Sequence, residues 1–277
     1  MLELQNVSFR YTPKGKNILS GFSASFGEGE LVAITGRNGS GKTTMTRLLV
    51  GLEKPSEGKV IYNGKNITQE DASERSHFIG YVFQQPDRQM FIPTRRSSDL
   101  TVREEVAFGP RMQGLTGKAL DDAVENAMRA VDVQVEADRY PRSLPRGTQQ
   151  RVAIASAIAM NIRYLILDEP TSGQDGNEKK RLVSLMNKLC SQGITVILVT
   201  HDMDIVASDC SRVIVIAEHE KAYDSTPERL FAAEGMAEQW GLAVPSSVAL
   251  SRALPGSPYC KDMVSFCNAY LKIQGRE

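Results

Sequence analysis

The chain has 277 residues, 41% of them hydrophobic, which is enough for one large α/β domain or a domain with an appendage. Lys and Arg total 33, as do Asp and Glu, so no bulk charge points to nucleic acid or an anionic membrane as a partner. The four cysteines, Cys190, Cys210, Cys260 and Cys267, show neither CxxC spacing nor paired histidine ligands, as expected for reduced thiols in a cytosolic protein. Met1 leads straight into a strand-like stretch, which does not look like a signal peptide, and no apolar run has the length to span a bilayer.

In chain order, residues 2–9 and 18–26 look like two strands joined by the turn-rich Thr12-Pro13-Lys14-Gly15-Lys16-Asn17. Residues 30–35 read as a short buried strand and 44–50 as an amphipathic helix. Between them, Gly36-Arg37-Asn38-Gly39-Ser40-Gly41-Lys42-Thr43-Thr44 fits G-x-x-x-x-G-K-[ST], the loop that wraps a nucleotide's phosphates with backbone N–H groups. Glycine lets such a loop bring its amides to the anion with no Cβ in the way. Lys42 would meet the β- and γ-phosphates as a point charge, and Thr43 would hold Mg²⁺ through its hydroxyl. A chance glycine-rich turn is the competing reading, and the strand and helix flanks argue against it.

Further on, Pro55-Ser56-Glu57-Gly58 turns into a strand at 59–62, and a strand at 79–83 runs into Gln84-Gln85-Pro86. Helices are expected at 101–107, 118–131 and 151–160. The last leads into Tyr164-Leu165-Ile166-Leu167-Asp168, a buried strand ending on two carboxylates, Asp168 and Glu169. A helix at 179–190, a parallel-type strand at 195–200 and a last strand at 212–217 complete the pattern. From about Thr226 the chain turns helical and loop-rich.

Taken together, these stretches resemble the ATP-binding subunits of ABC transporters over nearly the whole length, and most closely the energy-coupling-factor (cobalt and vitamin uptake) branch. The resemblance implies an α/β P-loop NTPase fold of the ABC ATPase type, with a mainly parallel sheet core, an N-terminal antiparallel β part and a helical subdomain. The core is expected in 1–83 and 162–225, the helical subdomain in about 84–161, and a helical tail in 226–277. In that family the carboxylates corresponding to Asp168 and Glu169 hold Mg²⁺ and polarise the attacking water. His201, one of three histidines, stands where a histidine contacts the γ-phosphate. Gln84 stands at the glutamine that contacts Mg²⁺, selected over Gln85 by the pattern Phe-Gln-x-Pro. Tyr11 lies where an aromatic residue stacks on adenine, a packed edge-strand tyrosine being the alternative. Ser172-Gly173-Gln174-Asp175 matches the loop that reaches across a dimer interface.

The implied ATP site thus comprises Tyr11, Gly36, Asn38, Gly39, Ser40, Gly41, Lys42, Thr43, Thr44 and Gln84. Mg²⁺ would fall to Thr43, Gln84 and Asp168, and catalysis to Glu169, His201 and Lys42. The implied partners are a second ATPase subunit in a head-to-tail dimer and an integral membrane subunit, with no nucleic acid, at the cytoplasmic face of the membrane. Two stretches favour the energy-coupling-factor branch: residues 101–110, which resemble its segment facing the membrane subunit, and the tail at 226–255. The alternatives are a soluble ABC-type ATPase acting on nucleic acid or ribosomes, and a regulatory subunit that binds ATP with little turnover.

Two departures stand out. The family's signature, LSGGQ, here reads Leu144-Pro145-Arg146-Gly147-Thr148. Proline has neither the serine's hydroxyl nor an N–H, and losing one charged hydrogen bond to the γ-phosphate costs about 1.5–3 kcal/mol. In the family the signature of one subunit closes over the ATP of the other, so an unequal pair of sites in a dimer with a paralogue is expected; the alternative is a signature tolerant of drift, with Arg146 offsetting the loss by its own charge and both sites working. The second departure is 92–100, nine residues where the family has only a few. Pro93-Thr94-Arg95-Arg96-Ser97-Ser98-Asp99-Leu100 is also what the end of a widely used sequencing adapter encodes, and it reads as an assembly artefact. A native basic insertion touching lipid headgroups or a membrane subunit is the alternative.

Overall fold

The structure is a computed structural model that describes residues 1–85, 89–90 and 101–274; the stretch 93–100 therefore lies outside the described residues. Short apolar runs become the centre of a six-stranded sheet: β3 (Leu31–Thr35), β7 (Tyr164–Asp168) and β8 (Thr195–Val199) are buried along almost their whole length. Strands buried on both faces need no alternation, which is why these runs are continuously apolar. With β6 (Ile79–Val82), β9 (Arg212–Ala217) and β10 (Glu220–Ser225) the order is β10-β9-β3-β8-β7-β6. All neighbours in it are parallel except β9 and β10. A second sheet, order β2-β1-β4-β5, is antiparallel and formed by β1 (Leu2–Phe9), β2 (Leu19–Phe26), β4 (Glu57–Tyr62) and β5 (Lys65–Asn66).

Alternate residues of each parallel strand serve two different cores. Val32, Ile34, Ile166, Ile197 and Ile214 pack against the antiparallel sheet and against Met45, Leu48 and Leu49 of α1 (Lys42–Val50). Leu31, Ala33, Leu165, Leu167, Val196 and Leu198 face the other way. They meet apolar side chains of α3 (Val102–Met112), α4 (Gly117–Ala130), α5 (Arg146–Ile158), α6 (Gly176–Ser191) and α7 (Met203–Asp209). The last part of the chain carries α8 (Pro227–Ala232), a 3-10 turn at Glu238–Trp240, α9 (Ser246–Ala253) and α10 (Met263–Ile273). Leu230, Phe231, Ala237, Leu242 and Val248 from this part are buried in the same core as the helical face of the sheet.

The helix that follows the phosphate loop is anchored at its far end by a buried arginine. Arg75, at the end of α2 (Ala72–Arg75), is fully buried and donates from Nη1 to Leu48 O (2.6 Å) and Leu49 O (2.8 Å). Its Nη2 donates to Ile67 O (2.6 Å) and Thr68 O (3.3 Å). The carbonyls of a last helical turn lack intrahelical partners, and a cation there also meets the negative end of the helix dipole.

Several expectations are corrected. The strand at 212–217 is not the last, because β10 follows it through a tight turn in which Glu218 (φ +50°) and His219 (φ +70°) are both left-handed. Two such residues are what a two-residue hairpin turn requires, and β10 is polar because it forms the exposed sheet edge. The helix expected at 151–160 begins at Arg146, with Pro145 as its N-cap residue. The helix expected at 179–190 begins at Gly176, where Asp175 accepts hydrogen bonds from the N–H groups of Asn177 and Glu178. The helix expected at 101–107 runs on to Met112 with Pro110 inside it.

One fork-shaped ion pair ties the β9–β10 hairpin to the antiparallel sheet. Arg212 donates from Nε to Asp224 Oδ1 (2.7 Å), from Nη2 to Asp224 Oδ2 (2.9 Å), and from Nη1 to Ser25 O in β2 (2.8 Å). Burial works against ionisation of Asp224, but hydrogen bonds from Arg212 and Lys221 outweigh it and hold the carboxyl below its ordinary range. A depressed carboxyl stabilises the fold above its unfolded pKa, and that contribution is lost as pH falls through the folded value. Asp224→Asn is therefore expected to cost about 1.5–3 kcal/mol at pH 7 in urea denaturation. The difference from the parent chain should narrow as pH falls below the ordinary carboxylate range.

Candidate functional site

The hydrogen-bonded register of the parallel strands brings four strand ends to one edge. Ile34 and Asp168 both lie opposite Val199, and Val82 lies opposite Leu167. The residues just beyond these ends therefore meet, and a cleft of about 750 Å³ is lined by Asn38, Gly39, Gly41, Lys42, Thr43, Thr44, Gln84, Asp168, Glu169 and His201. In open α/β sheets ligands bind outside the carboxyl ends of the strands, and this cleft is in that place.

The loop between β3 and α1 needs its glycines. Gly36 has φ +142°, and a Cβ there would lie 2.1 Å from Ile216 O; Gly41 has φ +111°, and a Cβ there would lie 2.6 Å from Ile18 O. With no side-chain cap on α1, its first N–H groups are left for an anion. Lys42 Nζ donates to Gly36 O (2.7 Å) and Arg37 O (3.0 Å), so the loop itself holds the ammonium. Burial lowers the Lys42 pKa, with the negative charges of Glu169 and Asp168 acting against the shift. Gly36 and Ser40 are buried parts of the loop outside the lining set, and among the described residues Ser40 Oγ has no hydrogen-bond partner.

Facing the loop, burial pushes both Asp168 and Glu169 up from the ordinary carboxylate range. Tyr81 donates its hydroxyl to Asp168 Oδ2 at 2.8 Å. Glu169 is in the left-handed region (φ +48°), held there by its N–H on Val199 O (2.9 Å) and by the Ser172 N–H on its carbonyl (3.2 Å). Its Oε1 is buried, accepts no hydrogen bond from the described residues, and lies 3.3 Å from His201 Nε2. Burial, and then the charge of Lys42, lower the His201 pKa, so the imidazole is neutral at neutral pH.

Three expected residues deserve separate placement. Gln84 lines the cleft, and its main-chain carbonyl accepts a hydrogen bond from Arg146 Nη2 (3.3 Å). Tyr11 stands beside the cleft, 54% exposed, its hydroxyl 3.3 Å from Thr44 Oγ1 and its ring edge-on to Phe9. Pro145 caps α5 without any side-chain hydrogen bond. Contributors without a motif signal include Ile18 and Val199, which line the cleft, and Tyr81.

The ABC transporter family matches residues 19–172. The chain belongs to this family. Among its relatives are the energy-coupling factor transporter ATP-binding protein EcfA of Methanothermobacter thermautotrophicus, 34% identical over 92% of this chain and 80% of that protein. TTE1589 of Caldanaerobacter subterraneus subsp. tengcongensis, named for ABC transporter ATP binding, is 36% identical over 92% of this chain, which spans 43% of its length. Among solved structures, cbiO1 of Clostridium perfringens, described as part of the ABC transporter complex cbiONQ, matches with TM-score 0.77 and 31% identity over 91% of this chain and 98% of its own. The dimeric cassette MJ0796, solved with ADP and Pi, matches with TM-score 0.70 and 29% identity over 82% of this chain and 99% of its own. The fold of this ABC ATPase is thus that of the nucleotide-binding cassettes.

In this ABC ATPase the phosphate loop has no room at its first glycine. Gly36→Ala is expected to lower affinity for a fluorescent ATP analogue at least tenfold, or about 1.4 kcal/mol, with the helical circular-dichroism signal retained. Equilibrium titration checks it.

Proposed function

We propose that this chain is an ATP-hydrolysing subunit powering a membrane transporter, of the energy-coupling-factor type, for uptake of a micronutrient such as a vitamin or a transition metal ion. The convergence of a phosphate loop, two adjacent carboxylates and a histidine on one cleft carries this reading. The names of the relatives EcfA and cbiO1 support its finer part.

The residues fit ATP with Mg²⁺. The cradle at Gly36 and Gly41 would be filled by any Cβ, and the donors Thr43 and Asp168 are hard oxygens of the kind Mg²⁺ takes. Thr43, Asp168 and Gln84 would hold the ion, which when bound neutralises charge on the β- and γ-phosphate oxygens. Lys42 and the first N–H groups of α1 bind the phosphates, and Tyr11 offers its exposed ring to the adenine. Glu169, with a buried oxygen accepting no hydrogen bond, positions the attacking water and takes its proton. Neutral His201 beside it orients that water and the γ-phosphoryl oxygen, and Lys42 stabilises the charge that develops.

The cassette would comprise 1–225, with its core in 1–83 and 162–225 and its helical part in about 84–161. The tail at 226–277 would add to a head-to-tail dimer with a paralogous ATPase; α10 exposes Met263, Val264, Tyr270, Leu271 and Ile273. MJ0796 is a dimer by its description, which supports two ATP molecules sandwiched between subunits. Among the described residues no helix is long and apolar enough to cross a membrane, so a membrane partner would hold the chain peripherally at the cytoplasmic face. A groove of about 460 Å³ with Leu52, Phe83, Phe108 and Met112 exposed on it lies beside 101–110 and would receive that partner. Pro145 leaves α5 without a side-chain cap where the family's serine meets the partner's ATP, so the site this α5 completes would be the weaker one.

Glu169→Gln is expected to lower ATP turnover in the assembled transporter by about 10²–10⁴-fold while ATP still binds. The matching change in the partner subunit should cost much less. Equal losses from the two changes would remove the asymmetry, and an undiminished rate with Glu169→Gln would remove the assignment of the base.

A further inference from the structure

The groups assigned so far leave one polar side chain at the site's edge without a part to play. Tyr81 sits on β6 opposite Ile166 of β7, and its hydroxyl crosses to Asp168 Oδ2 at 2.8 Å. Thr46 Oγ1, on α1, lies 3.5 Å from the same hydroxyl. The ring stands against Phe83 with centroids 4.6 Å apart at 64°, and both residues line the apolar groove. A single side chain therefore runs from the groove wall to the carboxylate that faces the phosphate loop.

An aspartate's terminal torsion is broad and two-fold, so a carboxylate at a strand end is not oriented by its backbone alone. The Tyr81 hydrogen bond occupies one oxygen, and among the described residues no hydrogen bond to the other is present. Packing alone would be satisfied by phenylalanine; only the hydroxyl distinguishes tyrosine at this position. Groups that hydrogen-bond a metal ligand fix its orientation, and their loss typically weakens metal binding about 10–100-fold.

We propose that Tyr81 is a positioning residue for the divalent cation: its hydroxyl fixes the Asp168 carboxylate for the ion's coordination shell, and its ring ties that orientation to the groove. The inference rests on the reading of Asp168 as a metal ligand. It also makes the state of the groove felt at the metal, since a partner that moves Phe83 moves the ring that carries the hydroxyl.

The test uses the full chain with a non-hydrolysable ATP analogue and Mn²⁺ as the probe, free Mn²⁺ being read by electron paramagnetic resonance. Tyr81→Phe and Tyr81→Met, which keep an apolar side chain in the groove wall, are both expected to weaken Mn²⁺ binding about 10–100-fold. Analogue affinity in the presence of EDTA and the melting temperature should stay close to those of the parent chain. If Asp168→Asn weakens Mn²⁺ binding and Tyr81→Phe does not, Asp168 is a ligand that needs no positioning and the proposal is overturned. If Asp168→Asn itself leaves Mn²⁺ binding intact, the metal reading of Asp168 and the proposal fall together. Weakening by Tyr81→Met alone would mean that the ring's shape matters and the hydroxyl does not, which also overturns it.

Discussion

The parallel hydrogen bonds joining β3, β8, β7 and β6 set everything at the cleft, because the strands contribute their chemistry at and just past their ends. A strand advances about 3.3 Å per residue, and a one-residue slip also turns every side chain to the opposite face. Such a slip of β7 would carry Asp168 and Glu169 away from Lys42. It would also put the Ile166 side of the strand against the helices and the Leu165 side against α1. The two cores thereby lock the register: Ile166 and Ile197 belong to one, Leu165 and Leu198 to the other, and neither set has a solvated alternative. The placement of the cleft residues is a by-product of hydrophobic patterning.

This explains which parts were legible in the sequence. The phosphate loop, Asp168, Glu169 and His201 each lie at or close beyond the end of a buried apolar strand, so local motif and local context coincide, and the structure gathers them on one cleft. Arg75 was not legible, since nothing in its neighbourhood says that an arginine will be swallowed whole to hold four carbonyls 7 to 27 residues away. Tyr81 was invisible for a related reason: tyrosine suits any half-buried strand position, and its partner is 87 residues distant. The edge strand β10 escaped because its residues Glu220, Lys221 and Asp224 follow the chemistry of a solvated edge and not an apolar pattern. The early start of α5 was hidden by Pro145, which ends an apolar pattern yet is well suited to the entry of a helix.

The unusual signature is built into the chain's own architecture. Arg146 reaches Gln84 through a main-chain carbonyl, and its Nη1 lies 3.1 Å from where a Cβ on Gly173 would be. Gly147 is retained opposite Glu178, whose Oε2 would lie 2.4 Å from a Cβ there and which accepts from Arg151 Nη1 at 2.7 Å. Arg146 thus ties the N-terminus of α5 to the loop before it by a hydrogen bond that a glycine at this position could not supply.

The backbone of Glu169 carries a further consequence. At φ +48° a residue with a Cβ is strained by about 1–2 kcal/mol, and glycine or asparagine would occupy the same conformation more comfortably. If Glu169 is the base proposed above, fold stability and turnover pull in opposite directions at this one position. Its persistence in a lineage would be a record of selection for hydrolysis, and a cassette kept only to bind nucleotide would lose it first.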